Sequence, residues 1–253
     1  MDVIGIIPAR YNSSRLPGKP LASIGDKPMV CHVYDRASIA IPDKVWVATD
    51  DMRIYDAVVS HGGKAVLVTE ECSNGTERCQ KAVVKLGLNP DVVINIQGDE
   101  PFISPEDIAL VISQFENAET EIATLARRFE PQEGFDSLFS ADNVKVVMDS
   151  SLRALYFSRS IIPYVRDYQW QNWTQQGEFF IHVGLYGFRY DVLNAIMATP
   201  VSTLERAERL EQLRWLGAGY KIQMAITDKK HFGIDTLSDY EAACRYYTEL
   251  NKK

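Results

Sequence analysis

The chain is poor in the residues that build cross-linked or metal-clustered proteins. Of its 253 residues, only four are Cys and four are His. Cys31, Cys72, Cys79 and Cys244 show no C-x-x-C spacing, which argues for free thiols in a reducing compartment rather than a disulfide scaffold. His32, His61, His182 and His231 form no H-E-x-x-H pair, so a zinc site is not indicated. The dinucleotide fingerprint G-x-G-x-x-G is missing, and so is the Walker pattern G-x-x-x-x-G-K-[ST]. No apolar run approaches the roughly 18 residues that a membrane-spanning helix needs. Positive charge is not in excess: 27 Lys and Arg against 34 Asp and Glu leave a net charge of −7. Such a chain repels a nucleic-acid backbone at long range. The opening residues MDVIGIIPARYNSSR have an acid at position 2 and no basic flank, unlike a signal peptide. The expectation is a cytoplasmic protein with neither membrane nor nucleic acid as partner.

What is present is an ordinary globular composition, 46% hydrophobic and 24% charged. The length suits one large domain with a subdomain as well as two small domains. The first half alternates short apolar runs with helical spacing. Runs at 3–7, 44–48, 65–68 and 92–96 read as buried strands, and segments at 28–40, 52–61, 76–86 and from 105 to about 116 read as helices. Strand–helix alternation predicts an α/β fold with a mostly parallel sheet between helices. Ligands then bind beyond the carboxyl ends of the strands. The second half has strand-like runs at 122–127, 144–148, 154–157, 181–189 and 221–227. It also has a polar, aromatic loop at 164–177 and helices at 204–216 and 237–250. Residues from about 150 to 217 read as an insertion on the core.

Residues 9–19, AlaArgTyrAsnSerSerArgLeuProGlyLys, follow the first strand and hold Arg10, Arg15 and Lys19 with two serines and a glycine. Several cations among backbone amides suit a triphosphate, although a solvated basic loop would read the same way. Asp99 in GlnGlyAspGluPro ends a buried strand and suits a Mg²⁺ ion held by phosphates, or is an ordinary acidic turn. Asp235 in GlyIleAspThr is either a second metal ligand or the cap of the last helix. Arg78 opens a helix beside Gly75, where a flat base could approach the backbone closely, or where a plain capping turn sits. On the helix 204–216, Glu211 falls on the stripe of Leu204, Ala207 and Trp215, so it needs a partner, either a structural Arg or a ligand hydroxyl. His182 and Tyr186 share a strand face by the period of two, and Arg159 is free to hold a carboxylate or an exposed salt bridge.

Taken in register, these segments resemble the 3-deoxy-manno-octulosonate (Kdo) cytidylyltransferases, or CMP-Kdo synthetases. The matching stretches are IPARYNSSRLPGKPL (7–21), VATDD (47–51), NGTER (74–78), INIQGDEP (94–101), VKVV (144–147), ALYFSR (154–159), HVGLYGFR (182–189), LEQLR (210–214) and GIDT (233–236). The chain departs from the family pattern at Asn74, Ile181 and Leu237, and His231–Phe232 precede GIDT. The resemblance implies a Rossmann-like nucleotidyltransferase domain over 1–253, with a sugar-binding and dimerisation subdomain inserted at about 150–217. It implies transfer of CMP from CTP to the anomeric hydroxyl of Kdo, with Mg²⁺ as cofactor and a homodimer as the working unit. Arg10 and Lys19 inherit the triphosphate, with Arg15 beside them and Pro8 and Ala9 at the strand end. Gly75, Arg78 and Gln97 inherit the nucleotide, with Gln97 also facing the sugar. Asp99 and Asp235 inherit the metal. Arg159, His182, Tyr186, Glu211 and Gln212 inherit the sugar pocket.

Overall fold

Buried, mostly β-branched runs form the strands, and the helices that follow the second and third strands of the parallel sheet start at Asp51 and Asn74 caps. The computed structural model describes residues 1–12 and 16–250. Within these the chain divides into two compact units, 1–109 with 231–253 and 110–230. The insertion expected at about 150–217 falls inside the second.

The first unit begins with β1 (Val3–Ala9), then a small hairpin of β2 (Ser23–Ile24) and β3 (Lys27–Pro28). Then come α1 (Met29–Ala40), β4 (Val45–Thr49), α2 (Met52–Ser60), β5 (Ala65–Leu67), α3 (Gly75–Leu86), β6 (Val92–Asn95) and α4 (Pro105–Ser113). β1 pairs in parallel with β4 and with β6, and β4 pairs in parallel with β5. The order is therefore β6-β1-β4-β5, the parallel sheet expected from the alternation. Ile6, Ile7, Val47 and Ile94 are wholly buried in it, and α1 and α3 bury Val30, Val33, Cys79 and Val83. Burial of this kind, at about 25 cal/mol per Å² of apolar surface, is the main stabilising term. Two helix starts follow their sequence signals. The Asp51 carboxylate accepts from the Arg53 amide at 2.9 Å, and Asn74 accepts from the Glu77 amide at 2.8 Å. Gly87, in the left-handed region, ends α3. β1 runs two residues beyond the expected 3–7, so Pro8 and Ala9 lie in the ladder opposite Ala48 and Thr49. The C-terminal helix (Leu237–Leu250) closes this unit.

The second unit contains β7 (Ile122–Arg128), α5 (Phe135–Phe139), β8 (Lys145–Met148), β9 (Ala154–Ser158), α6 (Trp173–Gln176) and β10 (Phe180–Arg189). α7 (Tyr190–Met197), α8 (Thr203–Glu208), α9 (Gln212–Gly217) and β11 (Ile222–Thr227) complete it. β11 runs parallel to β7, whereas β7–β10, β10–β8 and β8–β9 are antiparallel. Two expectations change here. The loop at 164–177 contains α6, whose Trp173 packs with Phe129, Leu138, Phe179 and Ile181. The single helix expected at 204–216 is two helices, because Arg209 takes a left-handed conformation (φ 53°). The break leaves Leu204 at 46% exposure while Leu210 and Trp215 are buried, so the apolar stripe inferred from one continuous helix does not exist.

Lys145 shows how this unit is pinned. Its ammonium is buried and donates to the carbonyls of Ser140 (2.9 Å), Asn143 (2.5 Å) and Arg159 (2.6 Å). Lys145→Met leaves those carbonyls without their charged donor. Equilibrium urea unfolding is expected to show a loss of about 2 kcal/mol, the scale of hydrogen bonds to a charged group; an unchanged midpoint would contradict this reading.

Candidate functional site

The carboxyl ends of β1 and β6 and the start of α3 surround a cleft of about 360 Å³. Pro8 and Ala9 line it from the end of β1, Arg10 and Lys19 from the stretch that follows, Gly75 and Arg78 from α3, Gln97 and Asp99 from the loop after β6, and Asp235 from the segment before the C-terminal helix. All the nucleotide and metal residues expected from the sequence are thus together, apart from Arg15, which lies outside the described residues. Pro20, Cys72, Ser73, Asn74 and Gly98 also line the cleft, and none of them was expected as a site residue.

Close approach depends on two glycines that flank Pro8. A Cβ on Gly98 would come within 2.8 Å of the Pro8 carbonyl oxygen, and one on Gly75 within 3.2 Å of the Pro8 ring. Glycine at both places lets the Asp99 loop and the N-terminus of α3 close on the end of β1. The positive end of α3 therefore faces the cleft, where it favours an anion. Asn74 and Glu77 form its cap, and Glu77 also accepts from the Ser73 amide at 2.8 Å. The Glu77 carboxyl is held down to about 2, first by Lys81 and then by the Ser73 amide.

Arg78 is buried, with one nitrogen on the Val68 carbonyl (3.0 Å) and another on Asp50 (2.9 Å). Asp50 is a residue that motif spacing marked only as part of VATDD. Its role in orienting Arg78 depends on a contact 28 positions away. The Gln97 amide donates to Asn95 at 3.4 Å.

Lys19 occupies the centre. Its ammonium donates to Asp99 (2.7 Å), to the Ile234 carbonyl (2.8 Å) and to Asp235 (3.2 Å), which uses all three of its protons. Two carboxylates thus converge on one cationic point. Of the two readings of Asp235, helix cap or ligand, the cap falls to its neighbour. Thr236 Oγ1 accepts from the Asp239 amide (3.2 Å), and Asp239 accepts from the amides of Thr236 and Asp235.

One buried cluster beside this cleft had no functional reading in the sequence. The His231 ring places Nδ1 2.8 Å from Glu100 and Nε2 3.1 Å from Asp107. Burial pushes its pKa down, but hydrogen bonds and charge from Asp107 and Glu100 outweigh this and hold it up to about 9.

Apart from Gln97, the expected sugar residues lie in the second unit. His182 and Tyr186 remain neighbours, with ring centroids 5.2 Å apart, although the ladder slips between Val183 and Tyr186. His182 Nε2 meets Thr124 Oγ1 at 3.0 Å, and burial pushes its pKa down, so the ring is neutral. Tyr186 is buried against Trp215 (5.3 Å), and burial together with the Glu211 charge raises its pKa. Among the described residues neither Tyr186 Oη nor Trp215 Nε1 finds a hydrogen-bond partner. Buried donors of this kind call for water or a polar ligand. Gln212 is buried at the start of α9. Arg159 instead spends its guanidinium on the carbonyls of Glu208 (2.7 Å) and Ala141 (2.8 Å).

A family model described as Cytidylyltransferase matches residues 4–223. The chain is 48% identical over 247 residues to a 3-deoxy-manno-octulosonate cytidylyltransferase of Parabacteroides distasonis, covering 97% of this chain and 98% of that protein. It is 46% identical over 243 residues to an 8-amino-3,8-dideoxy-manno-octulosonate cytidylyltransferase of Shewanella frigidimarina, covering 94% and 96%. A solved CMP:2-keto-3-deoxy-manno-octonic acid synthetase complexed with CTP superposes with a TM-score of 0.88 at 38% identity, covering 98% of this chain and 99% of that one.

The His231 cluster makes stability depend on pH. With its folded pKa raised from the ordinary 6.5 to about 9, its contribution is complete below about pH 6.5 and is lost as pH rises through about 9. Unfolding free energies from urea titrations are expected to fall over that interval by an amount on the order of 2 kcal/mol, and His231→Gln to flatten the slope.

Proposed function

The chain belongs to the cytidylyltransferase family, and from that premise we propose that it transfers CMP from CTP to the anomeric hydroxyl of Kdo, releasing pyrophosphate. The observation that supports this most directly is the cleft itself. It sets Arg10, Lys19, Arg78 and a helix N-terminus opposite the paired carboxylates of Asp99 and Asp235. This is a donor set for a triphosphate accompanied by a divalent cation.

The residues fit Mg²⁺. Such an ion usually takes one or two carboxylates and completes its shell with phosphate and water. Asp99 and Asp235 already enclose a positive charge, the Lys19 ammonium, at 2.7 and 3.2 Å. We assign them as the ligands. Bound there, Mg²⁺ would neutralise phosphate charge and make a coordinated hydroxyl more acidic.

The protein's own part is binding and alignment. Arg10 and Lys19 hold the β- and γ-phosphates and stabilise the charge that gathers on departing pyrophosphate. For this, Lys19 exchanges its acid partners for phosphate oxygens. Gly75, Arg78 and Gln97 hold the nucleoside, with Pro8 and Ala9 as the floor. No covalent enzyme intermediate is needed, since attack on the α-phosphorus is in line once both substrates are held. Within the second unit we assign the sugar to His182, Tyr186, Glu211 and Gln212, and to Arg159 once it exchanges the Glu208 and Ala141 carbonyls for a ligand carboxylate. The support is the buried Tyr186 hydroxyl and Trp215 N–H, which have no hydrogen-bond partner among the described residues.

We also place dimerisation in the segment 150–217. Its side chains Leu155, Tyr164, Tyr168, Trp170 and Val201 are exposed apolar groups that a second copy would cover. We place the activity in the cytoplasm, where CTP is supplied; no helix among the described residues is long and apolar enough to cross a membrane.

Pyrophosphate release with CTP, Mg²⁺ and a panel of Kdo, 8-amino-Kdo and a sialic acid tests the reaction. Kdo-dependent, EDTA-sensitive release is the expected result, and no release with Kdo from folded, CTP-binding protein rejects Kdo. Asp99→Asn is expected to lower kcat by about a thousandfold or more with an unchanged circular dichroism spectrum, the scale of losing a centrally placed electrostatic group. An active, Mg²⁺-dependent Asp99→Asn enzyme would refute the ligand assignment.

A further inference from the structure

Asp99 and Asp235 are 136 positions apart in sequence, yet they meet on one Lys19 ammonium. Something must hold their two segments in register. Three contacts do so. The Ile234 amide donates to the Asp99 carbonyl at 3.0 Å. Phe232 packs on Phe102 and Tyr246, each at 6.1 Å between centroids, and Ile234 is wholly buried. The third contact is polar. His231, at the start of the segment that leads to Asp235, lies between Glu100, the neighbour of Asp99, and Asp107, in the first turn of α4.

We infer that His231 is a positioning residue for the metal site: its ring, hydrogen-bonded to Glu100 and ion-paired with Asp107, clamps the Asp99 loop to the Asp235 segment and so sets the convergence of the two carboxylates. This rests on the assignment of Asp99 and Asp235 as metal ligands. The chemistry suits the role. A carboxylate 2.8 Å from one ring nitrogen and another 3.1 Å from the other favour the protonated ring, a cation held between two acids. The side chains of His231, Glu100 and Asp107 are only 10%, 13% and 3% exposed, so water screens these contacts little. Removing the ring would leave two enclosed carboxylates near each other without their shared counter-charge, and Glu100 would pull away from the segment it now grips. A metal site whose supporting shell loosens typically loses about 10–100-fold in affinity.

The test is Mn²⁺ binding in the presence of saturating CTP and no sugar, read by water-proton relaxation enhancement, so that no turnover is involved. Wild type, Asp99→Asn, His231→Phe and Asp107→Asn are compared, and CTP binding is measured separately in EDTA. The expected result is Mn²⁺ binding weakened about 10–100-fold in both Asp99→Asn and His231→Phe, and in the same direction in Asp107→Asn. CTP binding in EDTA should change less than about threefold in His231→Phe, because no clamp residue lines the nucleotide cleft. If Asp99→Asn weakens Mn²⁺ binding while neither His231→Phe nor Asp107→Asn does, the clamp is rejected and the ligand assignment stands. If Asp99→Asn leaves Mn²⁺ binding unchanged, the ligand assignment itself fails. Should His231→Phe lose metal-free CTP binding and thermal stability in proportion, the ring is merely structural. Asp107→Asn then decides by the same two readouts.

Discussion

The candidate site depends on one ammonium group. Lys19 reaches two carboxylates and a carbonyl with a single charged nitrogen, and those three acceptors come from the loop after β6 and from the segment before the C-terminal helix. Each acceptor alone is ordinary. Together they bring three distant stretches of chain to one point, and two like charges can stand side by side only because a cation separates them. The Lys19 side chain is 13% exposed, so screening by water is limited and the attraction is stronger than at an open surface. A site arranged around an exchangeable cation is suited to receive another cation together with an anion.

The surrounding scaffold serves this convergence. A parallel sheet places the ends of β1 and β6 at one edge, where loops can meet. Pro8 marks that edge, and Gly75 and Gly98 allow backbone to approach it from two sides. Arg78 is oriented by Asp50 and Val68 rather than left to find its own rotamer. His231 ties the acidic loop to the returning segment from behind. In each case a group that would face ligand is held by a partner that would not.

The second unit is organised differently. Its aromatic and polar residues are enclosed together: His182 is kept neutral by burial, while Tyr186 and Trp215 keep donors with no partner among the described residues. The left-handed turn at Arg209 makes this arrangement possible. It ends α8, buries Leu210, and starts a new helix whose Trp215 faces Tyr186, with Arg214 tied back to Glu205 at 3.3 Å. Lys145, fixed to the Arg159 carbonyl, anchors the neighbouring strand end.

Much of the fold was legible in the sequence because its signals are local. Strand runs and the terminal helix at 237–250 follow from neighbours within a few residues. So does the grouping of chemistry at strand ends, since a parallel sheet sends its loops to one edge. The break at Arg209 was not legible, because helical spacing over 204–216 fits one helix as well as two. Arg in a left-handed conformation is chosen by packing, not by propensity. Nor was the cap at Thr236, which frees Asp235 from that role, nor the Asp50–Arg78 pair. The clearest case is Lys19. The chain by itself determined that a basic loop follows the first strand and that acids follow the others. Only the tertiary structure decided that one ammonium would meet Asp99, 80 residues away, and Asp235, 216 residues away. Periodicity and capping act over one or two turns of chain, whereas a charge selects its partners through space.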